Sequence, residues 1–308
     1  MSNMIPIISV IITTYNAQHT IQRTITSILN QEGNNELFTL EFIIIDDCST
    51  DDTLSIIKSN HLQYLITGLN SGGPNKGRNI GLKKVSGNYI CIVDHDDEWH
   101  VDKIKTMLTY FDKSAIITSG YINKDINSNR ETTIVNTSEE KLPYLFFDKN
   151  ATFLNKLLRN GNGQHTYLGS IIYSSQLKHI EFEETYGMVD YDWLLRLFHK
   201  QSSIEVCKPL YTRYVEGINL SLNETYRLND YQYSTQFVKK YQKDYPAEVA
   251  QSIKRINGSI ARYYYLTNQM SKARTYFFKS PITLKTILYL LTSFAGAKIV
   301  KRYFNVFG

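Results

Sequence analysis

Cysteine and proline are both scarce in this 308-residue chain. Cys48, Cys91 and Cys207 are odd in number and far apart, which argues against a disulfide framework and against metal-ligand spacing, and fits a reducing compartment. Only 6 prolines occur, with no internal repeat and no low-complexity segment, so repeat architectures and disordered tracts are excluded. No basic segment precedes the first apolar run, so no signal peptide is expected and the expected location is cytoplasmic. From Ser271 to the end there is no Asp or Glu, but there are seven basic residues: Lys272, Arg274, Lys279, Lys285, Lys298, Lys301 and Arg302. The formal net charge is +5, and removing these seven leaves −2 for the rest. The basicity therefore belongs to the tail, which speaks for a local partner and against general nucleic-acid binding.

What is present is an ordinary globular composition, 42% hydrophobic and 20% charged, in a chain long enough to bury a full core. Tyrosine is abundant at 23 residues, but it serves packing as readily as ligand stacking. Apolar, β-branched runs at Ile7–Thr13, Leu40–Ile45, Tyr64–Thr67, Tyr89–Val93 and Ala115–Ser119 read as buried strands. Helical spacing fills Thr20–Asn30, Asp51–Ser59, Lys76–Val85 and Val101–Phe111. This alternation predicts an α/β fold with a mostly parallel sheet covered on both faces. A helical piece at Phe153–Arg159, a strand at Gly169–Tyr173 and a helix at Asp190–Lys200 follow, and from about Glu224 the pattern is wholly helical.

Ligands bind such sheets beyond the carboxyl ends of the strands. Three polar clusters fall there: Thr14-Tyr15-Asn16, Asp46-Asp47 and Asp94-His95-Asp96-Asp97. Alternate carboxylates at a strand end suit a hard cation such as Mg²⁺ or Mn²⁺, which keeps positions free for phosphate oxygens. The plainer reading is a solvated acidic turn. A calcium loop is disfavoured because the spaced acids and central glycine of an EF-hand are missing. The segment Gly72-Gly73-Pro74-Asn75-Lys76-Gly77-Arg78-Asn79 is neither a Walker loop nor a dinucleotide fingerprint.

Four stretches carry a family resemblance: Ser9–Asn16 (SVIITTYN), Ile43–Thr53 (IIIDDCSTDDT), Asn70–Leu82 (NSGGPNKGRNIGL) and Gly87–Trp99 (GNYICIVDHDDEW). In order and spacing they resemble glycosyltransferase family two, the GT-A-fold enzymes that build bacterial surface polysaccharides. With a later piece near Asp190, the resemblance covers roughly residues 5–215. It implies a Rossmann-like GT-A catalytic domain over residues 1–220, followed by a helical region over residues 221–308 with a basic amphipathic tail. Thr14, Tyr15 and Asn16 would line the nucleotide pocket, and Asp46 or Asp47 would accept from the base. Lys76 and Arg78 would face the donor, and Asp94 and Asp96 would hold Mn²⁺ or Mg²⁺, with His95 a substrate-binding candidate that, as the spacer between the two ligands, points away from the metal, and Asp97 a weaker candidate. In the structural reading Asp46 and Asp47 are loop acids, and Ser49 or Thr50 caps the next helix.

An acceptor hydroxyl needs a base. The stretch Val189-Asp190-Tyr191-Asp192-Trp193-Leu194-Leu195-Arg196-Leu197 resembles the family's Glu-Asp motif, so Asp190 falls on the catalytic base and Val189 replaces the usual Glu. Asp192 competes for that role, and in the structural reading Asp190 is a helix N-terminal acid. One base and direct displacement imply inversion. Trp99 and Trp193 read as core anchors, and His165 as an acceptor contact or third ligand. The implied partners are a nucleotide-sugar donor, with UDP favoured by the family's habits, and a saccharide acceptor, lipid-linked in many members.

The tail's longest uncharged run, Thr286–Ala297, spans about 18 Å as a helix against about 30 Å of bilayer core, so it does not cross. Lying at the inner face of the cell membrane, packing on the body and forming an oligomer interface are the three uses it leaves open. The competing class is a non-catalytic nucleotide-sugar-binding or scaffold protein on a degenerate GT-A fold. A nucleotidyltransferase lacks its glycine and lysine signature here.

Overall fold

The computed structural model describes residues 5–137, 142–185, 190–215 and 224–294. Two compact units emerge: Met1–Phe153 with Asn162–Gly217, and Leu154–Gly161 with Ile218–Gly308.

The first unit runs β1 (Ile7–Thr14), α1 (Ile21–Leu29), β2 (Thr39–Asp46), α2 (Thr53–Ser59), β3 (Tyr64–Ile66), α3 (Asn75–Lys84) and β4 (Tyr89–Asp94). It continues with β5 (Glu98–Trp99), α4 (Lys103–Leu108), β6 (Ile116–Asp125), β7 (Glu131–Ile134) and β8 (Tyr144–Phe147). Then come α5 (Ala151–Leu157), which reaches into the second unit, β9 (Ile172–Ser174), α6 (Tyr191–Phe198) and β10 (Ser203–Val215). The strand order is β3-β2-β1-β4-β9-β6-β10-β5, with β7 on β6 and β8 on β10. β3, β2, β1 and β4 pair in parallel, as do β6 and β10. β9 enters antiparallel between β4 and β6.

Both faces of β1 are covered, which explains its unbroken apolar run. Ile8, Val10 and Ile12 share a core with Ile21, Ile25 and Ile28 of α1 and Ile57 of α2. On the other face α3 lies close because it carries glycine at the contact. A Cβ on Gly81 would come within 2.6 Å of Ile11, and one on Gly77 within 2.9 Å of Thr13. Helices thus flank both faces of a mostly parallel sheet.

Two parts differ from the sequence expectation. Gly169–Tyr173 is not one strand: Leu168–Ser170 is a 3₁₀ turn and the strand begins at Ile172. Ser203–Val215, unassigned from sequence, is the longest described strand of the sheet. It carries Lys208-Pro209 in mid-run, and the pairing with β6 shifts register on either side of Pro209. Those bulges accommodate a residue that cannot donate to the ladder, and they break the alternation by which a strand is read.

The second unit holds α7 (Glu224–Val238), α8 (Pro246–Leu266), α9 (Met270–Phe277) and α10 (Leu284–Thr292). Its core is largely tyrosine: Tyr263, Tyr264, Tyr265 and Tyr289 pack with Ile260 and Phe277. Much of the tyrosine surplus is therefore packing. The tail beyond Phe294, with Lys298, Lys301 and Arg302, lies outside the described residues, as does Val189.

Candidate active site

The carboxyl ends of β1, β2 and β4 stand side by side, because Thr14 pairs with Asp46 and Thr13 with Asp94. The register alone brings the three polar clusters to one edge. Asn16 takes a left-handed conformation (φ 47°), and its side chain accepts from the Thr50 N–H at 2.9 Å, joining the loops after β1 and β2. The Thr14 hydroxyl is buried without a hydrogen-bond partner, and Tyr15 is exposed.

Asp46 is fully buried, and its two oxygens accept from the N–H and hydroxyl of Ser49 at 2.8 and 2.6 Å. Asp47 accepts from the Thr67 hydroxyl at 2.6 Å and from the Ser71 N–H and hydroxyl, both at 2.9 Å. Both acids therefore shape loops. Neither Ser49 nor Thr50 caps α2: its N-cap is Asp52, and the nearby Asp51 accepts from Thr53 instead. Lys76 reaches the Thr67 carbonyl at 3.3 Å.

Arg78 is buried on α3. Nη1 donates to Asn75 at 3.0 Å and Nη2 to Asp94 at 2.8 Å, and the guanidinium sits 5.1 Å over the Phe182 ring. Its Nε is buried and unpartnered. The Asp94 side chain stays 43% exposed, so the pair opens to solvent on the carboxylate side.

α1 holds the acidic turn from the other side. The buried Thr24 hydroxyl lies 2.9 Å from the His95 carbonyl and 2.7 Å from that of Asp97, and Arg23 donates to the Asp96 carbonyl at 2.8 Å. His95 faces α1, with Nδ1 3.2 Å from the Thr20 hydroxyl. Burial first and the charge of Asp94 second push the Asp96 carboxyl above the usual range. Asp97 is pushed well above it by burial, Asp94 and Asp96, against the opposing pull of Arg213 and Lys103. Three crowded carboxyls of this kind are relieved by a cation, and their oxygens suit Mn²⁺ or Mg²⁺. Among the described residues no group of three or more His, Cys, Asp or Glu side chains is arranged as a metal cage.

Asp190 is the half-buried N-cap residue of α6. Burial raises its pKa, Arg78 lowers it and Asp94 raises it further, so the three residues sense one another. Asp192, the competing base, is buried and held by Arg196 at 2.5 Å. His165 Nδ1 is 2.6 Å from the fully buried Glu205, and its ring meets the edge of Tyr121. Trp99 and Trp193 are buried, and Trp193 stacks on Phe182.

Sequence reading missed the wall beside the turn. Tyr121 contacts Tyr167 and Tyr211, and Arg213 lies 4.9 Å over Tyr167. A Cβ on Gly169 would come within 2.7 Å of Asp97 Oδ2 and 3.1 Å of Tyr211. These residues sit on β6, on β10 and in the turn before β9, where no motif marked them. Arg23 and Thr24 are also unmarked, because ordinary helix positions carry no sign of what they face.

A mostly parallel sheet flanked by helices, with acidic and basic side chains gathered at its carboxyl edge, is the GT-A architecture. A sequence model described as glycosyl transferase family 2 matches residues 9–177, and the chain belongs to that family. Among curated relatives, the poly(ribitol-phosphate) beta-N-acetylglucosaminyltransferase TarS of Staphylococcus aureus is 37% identical over 109 residues, 34% of this chain and 19% of TarS. The UDP-Glc:alpha-D-GlcNAc-diphosphoundecaprenol beta-1,3-glucosyltransferase WfaP of Escherichia coli is 36% identical over 124 residues, 39% of this chain and 48% of WfaP. The matched part thus spans less than half the length of either relative. The crystal structure of S. aureus TarS 1–349 superposes with a TM-score of 0.59 at 23% identity, covering 93% of this chain and 79% of that one. Its complex with UDP-GlcNAc gives 0.58 at 18%, covering 96% and 91%. The mannosyltransferase PcManGT from Pyrobaculum calidifontis, in complex with GDP-Man and Mn²⁺, gives 0.56 at 14%, covering 95% and 81%. At these identities the structures speak for the fold.

Proposed function

We propose that the chain is an inverting, metal-dependent glycosyltransferase that moves a sugar from a nucleotide-sugar donor to a saccharide acceptor in cell-surface polysaccharide synthesis. The observation that carries the reading is Arg78, a buried cation bonded to Asp94 and electrostatically coupled to Asp190. It supports the reading because the Asp94 carboxylate, at the end of β4, and Asp190, at the start of α6, then feel the same guanidinium charge. A UDP-sugar is favoured, since TarS was solved with UDP-GlcNAc and WfaP is named for UDP-Glc. WfaP's named acceptor carries diphosphoundecaprenol, and a lipid-linked acceptor here would confine the reaction to a bilayer surface.

In this reading Asp190 takes the proton of the acceptor hydroxyl as its oxygen attacks the anomeric carbon opposite the diphosphate. The new C–O bond forms as the bond to the diphosphate breaks, which inverts the anomeric centre. Asp94 and Asp96 would hold Mn²⁺ or Mg²⁺, whose charge stabilises the departing nucleoside diphosphate when bound. Thr24 and Arg23 keep the carrying turn in place through its carbonyls, so the carboxylates need not reorganise.

The test mixes the protein with Mn²⁺ and a panel of nucleotide sugars and follows nucleoside diphosphate release. Release by the native chain and its loss in Asp96→Ala are expected. Retained turnover in that variant overturns the metal assignment. No nucleotide binding by calorimetry, with or without metal, would favour the non-catalytic scaffold.

A further inference from the structure

α10 is a folded helix with two unlike faces. Thr283 caps its first turn, accepting from the Thr286 N–H at 3.1 Å. Tyr289 anchors it inward, 4.9 Å from Tyr265 and stacked on Phe277 at 5.3 Å, and Arg274 donates to the Ser293 carbonyl at 3.2 Å. The outward side is not polar. Leu284, Ile287, Leu288 and Leu291 follow the i, i+3, i+4, i+7 spacing of a single stripe and are 75%, 43%, 41% and 63% exposed. Phe278 and Ile282 before the helix and Phe294 after it are exposed as well, Ile282 at 90%, with Arg274 4.8 Å over the Phe294 ring. An exposed apolar stripe on a folded helix is the kind of surface that marks an interaction site.

We propose that this face docks on an anionic lipid bilayer. Lys285 is exposed on the helix, Lys279 is exposed just before it, and no acidic residue occurs from Ser271 onward. An apolar stripe flanked by cations, with no anion to oppose a negative surface, suits shallow insertion beside anionic headgroups. A second copy fits less well, because its matching segment is equally basic and free of acid, and so brings no opposite charge to these lysines. Among the described residues no helix is long and apolar enough to cross a membrane, so the helix lies in the surface. The proposal deepens the reading of a lipid-linked acceptor, yet it stands on α10 alone. Vesicle binding and nucleoside diphosphate release are separate measurements, so failure of either is recognised by itself.

The test sediments the full chain with vesicles of phosphatidylcholine, and with vesicles of equimolar phosphatidylcholine and phosphatidylglycerol. Strong binding to the second, little to the first, and release at high salt are expected. The double variant Leu284→Ser with Leu291→Ser should lose most of the bound fraction. Should it fail to fold by circular dichroism, Lys279→Glu with Lys285→Glu, both exposed, should lower binding several-fold on their own. Absent binding, equal binding to both vesicles, or binding that survives the variants overturns the proposal. So does a dimer, seen by light scattering, that the leucine variants dissolve while vesicles leave the chain unbound.

Discussion

Arg78 Nη2 lies 2.8 Å from Asp94 Oδ1, and the same guanidinium holds Asn75 through Nη1 at 3.0 Å. A planar fork makes both bonds at fixed angles, whereas a lysine ammonium is a point charge on a flexible stem. Arg78→Lys should therefore not rescue the site. Losing one hydrogen bond to a charged group removes about 1.5–3 kcal/mol, or about 10- to 150-fold in kcat/KM. Donor-dependent diphosphate release measures it, and near-native kcat/KM in the lysine variant would show that the fork is not needed.

Asp190 is raised above its ordinary value of 3.8 by burial, more than Arg78 lowers it. As a base it must be ionised, so kcat/KM should rise with pH through an inflection above the usual aspartate range. Asp190→Asn should lower turnover about 10²- to 10⁴-fold while leaving donor binding in place. The linkage has a definite sign. The folded state holds the proton to higher pH than the unfolded one, so ionising Asp190 lowers stability as pH rises through that interval. The asparagine variant should thus melt higher than the native chain at neutral pH. A lower Tm, or an acid limb at the ordinary value, contradicts the assignment.

The strand ends were legible because they are local. A buried parallel strand must be an apolar run, so a carboxylate that ends such a run stands out, and Asp46 and Asp94 announce themselves although Asp46 stays buried. Residues that act across the fold do not. Thr24 reads as an ordinary helical threonine until α1 is laid against the turn. Glu205 falls in a segment unassigned from sequence and carries no mark until β10 is placed inside the sheet, where it is fully buried beside His165. Pro209 masked that strand for the same reason: only the register shifts beside β6 make its place intelligible.

Thr24→Val tests the clamp on the acidic turn. Valine keeps the shape but leaves the His95 and Asp97 carbonyls without a hydroxyl that now lies 2.9 and 2.7 Å away. A buried acceptor left unpaired costs about 1–3 kcal/mol. Stability should fall by that order in urea, and the Mn²⁺ concentration for half-maximal activity should rise. Thr24→Ser, which keeps the hydroxyl, should restore both. A valine variant that loses stability with unchanged metal response would make Thr24 a packing residue only.

The opposite end of the sheet offers a control. Burial pushes the Glu41 carboxyl up, but hydrogen bonds from Ser86 and Ser9 outweigh it and hold the pKa below 4.5. The Ser86 hydroxyl donates at 2.5 Å and its N–H at 3.1 Å, while Ser9, which also accepts from the Gly87 N–H at 3.0 Å, donates to the same carboxylate. The side chain thus joins β1, β2 and the approach to β4 at their amino ends. Glu41→Gln cannot accept on both sides and should cost about 1 kcal/mol. A lowered folded pKa contributes stability above the unfolded value, and that contribution is lost as pH falls through the folded one. The difference between native and variant proteins should therefore be full at neutral pH and shrink below pH 4.5. Turnover well below Tm should be unchanged, because Thr14, Asp46 and Asp94 lie at the other ends of the same strands. Loss of activity in a stably folded Glu41→Gln would mean that the two ends of the sheet are not independent.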